Sequence, residues 1–241
     1  MPVVTITGRV GTLARPVGLE VARLLGADYV DQQIIAEAAL RSGSTLESVA
    51  ERDERGLRGR QRLARFLQNF LEKSAAAGSA GDPFLGPTGV EVLLSRTFAE
   101  AGQPAPDQAH AIDDQRYLKL ITSVVTDLAS TGNVVLIGRG SHVILKDKPK
   151  ALHVYITASE ETRNKYIMER EGLPREAALK YVKENEAGRI AYYKKFFKVN
   201  SEDPVLFHMA LNADKMGIGH SARIIADAAR EMERVATPAP S

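Results

Sequence analysis

Short runs of apolar, β-branched residues that alternate with helical patterns are the main feature of this sequence. The runs are near-continuous rather than alternating, which is typical of strands buried on both faces. Four runs are predicted as strands, at residues 3–7, 133–137, 152–157 and 207–212. Each leads within a few residues into helical spacing, at 17–25, 140–145, 160–171 and 222–235. This alternation predicts an α/β fold with a parallel sheet and right-handed crossovers.

A long region between the first and second runs is predicted as a helical insertion, at residues 32–131. The patterns within it predict helices at 32–41, 46–52 and 60–73, a loop at 75–89 and a break at 103–106. Asp113 or Asp114 is predicted to cap a helix that runs to about residue 130. The insertion is either a second layer of structural helices or a lid that clamps a substrate, and composition leaves both open.

The chain is predicted to form a single domain at residues 1–235. The core of this domain is residues 1–31 and 132–235, and the helical insertion at 32–131 lies between the two parts of the core. The tail at 236–241 contains two prolines and small or polar residues, and we expect it to be disordered.

Composition narrows the possible functions. The 241 residues include 32 Lys and Arg and 30 Asp and Glu, so the net charge of +2 does not favour binding to a nucleic-acid polymer. Because there is no cysteine, disulfides, cysteine-ligated zinc and thiol nucleophiles are excluded. The 5 histidines show no metal-ligand spacing. No apolar run or secretory signal suggests a membrane, so we expect a soluble cytoplasmic protein.

The first run leads into a glycine-containing loop and then a helix, the arrangement that binds phosphate groups. A Walker A loop reads Gly-x-x-x-x-Gly-Lys-Ser/Thr. This loop has no lysine, and Leu13 and Ala14 stand where further glycines would relax it. The residues alone leave two interpretations open, a phosphate site or an ordinary turn with exposed arginines.

Arginines in two later segments point to the same chemistry. Arg139 follows the second run through a glycine, at the sheet edge that also carries the glycine loop. A basic, aromatic helix carries Arg163 and Arg189, with Glu186 one turn before Arg189. These side chains either lie on a solvated face with ordinary ion pairs or neutralise a transferring phosphoryl group.

The order of these segments resembles the cytidylate kinase-like proteins, a branch of the P-loop nucleoside monophosphate kinases. The resemblance covers roughly residues 3–229. Matching segments are the degenerate phosphate loop at 4–18, the short strand ending in Asp31, and the segments at 135–144, 152–172, 186–193 and 211–218. The stretch 186–193 resembles the family's lid signature, an acidic residue, an arginine and two tyrosines. The chain departs from the family at Gly140, where those kinases have an aspartate, and at Glu186, where the family prefers aspartate.

The resemblance implies a P-loop NTPase-like parallel sheet flanked by helices, with a helical insertion that binds a nucleoside monophosphate and a lid. The implied reaction is transfer of the γ-phosphoryl group of ATP to CMP or dCMP, with ATP and Mg²⁺ as cofactors. Catalysis would consist mainly of positioning and charge stabilisation.

The resemblance also implies roles for individual residues. Those expected to hold the ATP phosphates are Gly8, Gly11, Thr12, Arg15 and Gly18. Those expected to orient the acceptor nucleotide are Asp31 and Arg139. Those expected to act on the transferring phosphate are Arg139, Arg163 and Arg189, with Glu186 orienting Arg189 or a lysine of the lid.

Two other functions stay open at this point. One is a non-catalytic nucleotide-binding module, in which the altered loop no longer supports transfer and the helix at 60–73 contacts a protein partner. The other is a structural α/β domain without a ligand, which the matching lid signature disfavours.

Overall fold

The computed structural model describes residues 1–31, 96–104 and 108–235, and within them five parallel strands form one sheet. The strands are β1 (Val3–Gly8), β2 (Asp28–Val30), β3 (Val134–Ile137), β4 (Ala151–Thr157) and β5 (Met209–Asn212). Their order across the sheet is β2–β3–β1–β4–β5, and each neighbouring pair is parallel. The predicted P-loop NTPase-like α/β fold is confirmed.

Helices flank this sheet on both faces. They are α1 (Ala14–Leu25), α2 (Phe98–Gly102), α3 (Gln108–Thr131), α4 (Ser141–Ile144), α5 (Glu160–Glu171), α6 (Arg175–Phe197), α7 (Ala213–Met216) and α8 (Ile218–Val235). The basic, aromatic helix of the sequence prediction is therefore two helices. The first, α5, starts at a Ser159 cap that accepts the Thr162 N–H at 3.2 Å, and Gly172 ends it. None of the helices described is long and apolar enough to cross a membrane.

Successive side chains of each strand enter different cores, which explains the near-continuous apolar runs. On β1, Val3 packs with α3 and α6, whereas Val4 and Ile6 pack with α1 and α8. On β3, Leu136 enters the first of these cores and Val135 the second. Burial on both faces fixes the register of the central strands, because a slip of one residue would exchange the two sets of side chains.

One cap prediction is wrong. α3 already begins at Gln108, so Asp114 lies inside the helix instead of before it. Its carboxylate pairs with Lys195 at 2.7 Å and with Arg96 at 3.5 Å. The break at 103–106 is confirmed at Gln103 and Pro104, which follow the end of α2. The predictions at 32–41, 46–52, 60–73, 75–89 and 236–241 lie outside the described residues.

Buried imidazoles lie beside the sheet. His153 Nδ1 shares a 2.8 Å hydrogen bond with the Thr5 hydroxyl, and the backbone N–H of His153 donates to His208 Nδ1 at 2.9 Å. His142 lies between Tyr193 and Phe207, with ring centroids 5.4 and 4.9 Å away. In the part of the chain described, neither ring nitrogen of His142 has a hydrogen-bond partner.

Acid should destabilise the fold through these histidines. Burial lowers the pKa of His142 to about 3 and that of His153 to about 4, from an ordinary 6.5. Between about pH 6.5 and pH 4 these two histidines are protonated in the unfolded chain but remain neutral in the folded chain. The free energy of unfolding therefore falls as the pH is lowered from about 6.5 towards 4. Urea unfolding between about pH 7 and pH 4 should show this decline, and His142→Leu should make it shallower. The exposed His220→Leu serves as control, and an unchanged slope for His142→Leu would contradict the assignment.

Candidate active site

A cleft of about 360 Å³ lies at the carboxyl edge of the sheet, where ligands bind in open parallel sheets. Residues that follow β1, β2 and β3 form its floor, and α2, α5 and α6 contribute to its walls. The predicted site residues that line it are Gly8, Gly11, Thr12, Arg15, Asp31, Arg139 and Arg189. Arg163 and Glu186 do not line the cleft, but both contact the loop after β1 at Val10. The structure thus brings most of the predicted site together.

The loop after β1 is folded into a tight turn. Gly11 has a φ of +85°, and a Cβ there would lie 2.7 Å from the carbonyl oxygen of Arg163, so only glycine fits. The N–H and the hydroxyl of Thr12 both donate to the Arg9 carbonyl, at 3.1 and 2.8 Å. The turn is therefore held by its own hydrogen bonds and by its contact with α5.

Gly18 lies on α1 and does not line the cleft. A Cβ there would lie 2.4 Å from Ile137 Cδ1 and 3.4 Å from the Tyr29 ring. The glycine lets α1 approach β2 and β3 closely, and this approach sets the position of Arg15 one turn earlier on the same helix.

Arg15 and Asp31 form an ion pair at one end of the cleft. Their side chains are 3.2 Å apart, and Asp31 is largely buried. The Tyr29 hydroxyl donates to Asp31 Oδ2 at 3.2 Å. Burial and the neighbouring Asp31 charge raise the pKa of Tyr29, which therefore stays a donor. Arg15, which is expected to bind the ATP phosphates, thus pairs with Asp31, which is expected to orient the acceptor nucleotide.

Arg139 is held between the sheet edge and α2. Its backbone has a φ of +55°, and the side chain is only 3% exposed. The guanidinium donates to the Tyr117 hydroxyl at 3.0 Å and to the Arg96 carbonyl at 2.5 Å, and it lies 4.9 Å from the centre of the Phe98 ring. Cation–π and hydrogen-bond contacts of this kind fix the plane of the guanidinium. Arg139 therefore anchors the end of the insertion at the cleft.

A closed chain of hydrogen bonds surrounds this arginine. Arg139 donates to Tyr117, the Tyr117 hydroxyl donates to that of Tyr192 at 3.2 Å, and Tyr192 donates to the Arg139 carbonyl at 3.3 Å. The hydroxyl of the neighbouring Tyr193 accepts the Gly140 N–H at 3.3 Å. Both residues of the tyrosine pair are fully buried, so this part of the lid signature joins α6 to the turn after β3.

Gly140 lies against the aromatic end of α6. Its φ is +74°, and a Cβ there would lie 2.3 Å from the ring of Phe197. Any larger residue would have to displace that ring. Gly140 is therefore coupled to Phe197, a residue 57 positions away that the sequence patterns do not connect with the site.

The carboxylate of Glu186 connects α6 with the loop after β1. It accepts the Val10 N–H at 2.7 Å and two hydrogen bonds from Arg189, at 2.9 and 2.7 Å. Arg163 approaches it at 3.8 Å and also donates to the Val10 carbonyl at 2.7 Å. Burial raises the pKa of Glu186, but Arg189, the Val10 N–H and Arg163 outweigh that effect and hold the pKa below its ordinary value. Glu186 is therefore charged at neutral pH.

A second carboxylate, Glu202, completes this cluster. It lies 3.0 Å from Arg189 and 3.3 Å from Arg9, which projects from the loop after β1. Asn200 Oδ1 accepts the Glu202 N–H at 3.1 Å and so shapes the turn that presents the carboxylate. Glu202 therefore bridges arginines from two different elements.

The opposite wall of the cleft is formed by α5 and α6 and was not predicted. The residues that line it are Tyr166, Arg170, Glu171, Tyr181 and Asn185. Arg170 lies 5.5 Å from the centre of the Tyr166 ring and pairs with Glu171 at 2.5 Å. Across the described ranges there is no group of three or more histidine and acidic side chains that could hold a metal ion.

A comparison with protein families agrees with this geometry. A model of the cytidylate kinase-like family matches residues 3–215, which is most of the chain. The chain belongs to the cytidylate kinase-like family.

Individual relatives are similar at modest identity. A cytidylate kinase of Pyrobaculum calidifontis is 27% identical over 170 residues, which cover 70% of this chain and 85% of that protein. A cytidylate kinase of Aeropyrum pernix is 28% identical over 120 residues, covering 50% and 69%. The crystal structure of an uncharacterized protein from Eubacterium ventriosum matches with a TM-score of 0.57 at 18% identity, covering 96% of this chain and 99% of that one. That likeness shows the fold.

Several residues that shape the site in this member of the cytidylate kinase-like family escaped the sequence patterns. They are Arg96, Phe98, Tyr117, Phe197 and Glu202. Each reaches the site from another part of the chain by a long-range contact, and none stands beside a glycine turn or at the end of an apolar run. Of these, Phe197 alone carries a sequence signal, because it belongs to an aromatic pair with Phe196 at the end of α6.

The contact between Gly140 and Phe197 can be tested by two alanine substitutions. Gly140→Ala and Gly172→Ala each place a side chain at a positive φ, which costs about 1–2 kcal/mol. A Cβ at Gly172 meets nothing within 4 Å, whereas one at Gly140 meets the Phe197 ring. Gly140→Ala should therefore lower the free energy of unfolding by a further ~1–3 kcal/mol, measured by urea denaturation. Equal losses for the two variants would contradict the packing described.

Proposed function

We propose that this protein transfers the γ-phosphoryl group of ATP to a nucleoside monophosphate, with CMP or dCMP as the acceptor. An oxygen of the acceptor's phosphate forms a bond to the γ-phosphorus, the bond to the β-phosphate oxygen breaks, and ADP leaves. Such a transfer requires little covalent chemistry from the protein and depends on positioning and positive charge.

The observation that supports this proposal most is the position of the arginine cluster. Arg189 and Arg9 line the cleft, Arg9 as part of the loop that follows β1, and Arg163 contacts that loop. Guanidinium groups next to a phosphate-binding loop are suited to neutralise charge on a transferring phosphoryl group. Membership of the cytidylate kinase-like family and the names of the relatives point to the same reaction.

The donor side of the proposed site is the loop after β1. Gly8, Gly11 and Thr12 would hold the ATP phosphates through the backbone, and Arg15 would supply positive charge in a loop that lacks a lysine. Gly18 would contribute indirectly, by setting the approach of α1 to the sheet. Mg²⁺ would arrive with the phosphates, since this ion is bound mainly by water and phosphate oxygens with one or two protein oxygens.

The acceptor side lies beyond β2 and β3. Asp31 and Arg139 would orient the nucleoside monophosphate, next to Phe98 of the described insertion segment. We assign the acceptor-binding role to the insertion at 32–131, within a single domain of residues 1–235. Two of the five N–H donors of Arg139 contact Tyr117 and the Arg96 carbonyl, so we assign it a positioning role as well as contact with substrate.

An ADP-release assay on purified protein with ATP, Mg²⁺ and CMP, dCMP, UMP or AMP tests the proposal. ADP should appear with CMP or dCMP, and Arg189→Ala should lower kcat by about 10²–10³-fold, because it removes a donor to the transferring group. Arg234→Ala, which changes an exposed arginine paired with Glu231 on α8, serves as the matched control and should keep the wild-type rate.

The other outcomes have distinct meanings. Nucleotide that raises the melting temperature without ADP formation would refute the transferase and support the non-catalytic nucleotide-binding module. A failure of every nucleotide both to bind and to react would refute both functions.

A further inference from the structure

The Glu186 carboxylate occupies a position that suits a phosphate oxygen. It accepts the Val10 N–H at 2.7 Å, in the turn that directly follows β1. Backbone N–H groups in turns of this kind can bind anions. The Glu186 carboxylate is thus an anion of the protein itself that is bound to the Val10 N–H at the sheet edge.

The surrounding side chains are those that recognise phosphate. Arg189 donates to Glu186 through Nε and Nη2, and Arg163 lies 3.8 Å from the same carboxylate. A guanidinium that binds a carboxylate through two N–H groups binds a phosphate in the same way. The Nη1 atom of Arg189 is buried and has no hydrogen-bond partner among the residues described, although the side chain lines the cleft. One more donor is therefore available for a ligand with more oxygens than a carboxylate.

We propose that the Val10 N–H, Arg163 and Arg189 form an anion subsite in which Glu186 is the resident anion, and that a phosphate oxygen of the ligand replaces Glu186 there. The existence of the subsite stands on the contacts of these residues. That its ligand is a nucleotide polyphosphate rests on the proposed function.

Glu202 can keep Arg189 in place while a phosphate oxygen replaces Glu186. It holds Arg189 at 3.0 Å and Arg9 at 3.3 Å independently of Glu186. When Glu186 leaves the Val10 N–H, Arg189 keeps a carboxylate partner and remains at the cleft. A buried arginine without any partner would be strongly destabilising.

The exchange weakens binding of every ligand that uses the subsite. Apparent affinity falls in proportion to the fraction of molecules in which the subsite is free. If the Glu186 carboxylate occupies the subsite in about nine molecules of ten, removal of that carboxylate strengthens ligand binding about tenfold.

Titration calorimetry with pyrophosphate at constant ionic strength tests this inference. Glu186→Ala should bind pyrophosphate about tenfold more tightly than the wild type. Glu184→Ala is the matched control, because Glu184 also lies on α6 and pairs with a cation, Lys180, but is exposed and does not line the cleft. It removes the same charge and should change the affinity by less than about twofold.

Glu186→Gln guards against a folding defect in the alanine variant. It keeps the side-chain volume but weakens the hold on the arginines, so it should also bind pyrophosphate more tightly, by a smaller factor. Urea unfolding would first establish that each variant is folded. Unchanged or weaker binding by both Glu186 variants, or an equal gain for Glu184→Ala, would overturn the subsite.

These results are distinguishable from a failure of the proposed function. Tighter pyrophosphate binding by Glu186→Ala in a protein that shows no nucleotide-dependent ADP release would support the subsite and refute the transferase. ATP turnover by the wild type, together with unchanged pyrophosphate binding in the Glu186 variants, would support the transferase and refute the subsite.

Discussion

The buried ion pair between Glu186 and Arg189 determines how the site of this protein is built. A charge removed from water must be compensated, and each of these two groups is the main partner of the other. The same carboxylate holds the Val10 N–H, so α6 cannot shift without disturbing the loop after β1. The helix α6 and the loop after β1, which are far apart in the sequence, are thereby joined into one unit.

A second attachment fixes α6 farther along its length. The hydrogen bonds among Arg139, Tyr117 and Tyr192 join this helix to the turn after β3 and to α3. Lys195 adds bonds to the carbonyls of Ala101 and Gln103 at the end of α2. The described end of the insertion, α6 and the sheet edge are therefore in contact with one another. A ligand that moves one of them would also move the other two.

The sequence predicted the parts of the protein that depend on local patterns. Runs buried on both faces predicted the strands, and the strand ends predicted where Gly11 and Arg139 would meet. The contacts that shape the cleft depend on tertiary packing. The close approach of Phe197 to Gly140 and the bridge made by Glu202 follow no period in the chain. The predicted cap at Asp113 or Asp114 failed because α3 continues through that position and Asp114 is used for an ion pair with Lys195.

We infer that a nucleotide binds with its phosphates between the loop after β1 and α6. A crystal structure of the protein with ADP, CMP and Mg²⁺ would reveal where the phosphates lie. We expect phosphate oxygens within hydrogen-bond distance of the Val10 N–H and Arg189, and the CMP phosphate near Asp31 and Arg139. Nucleotides bound elsewhere on the protein, with Glu186 still on Val10 and the cleft filled by water, would contradict it.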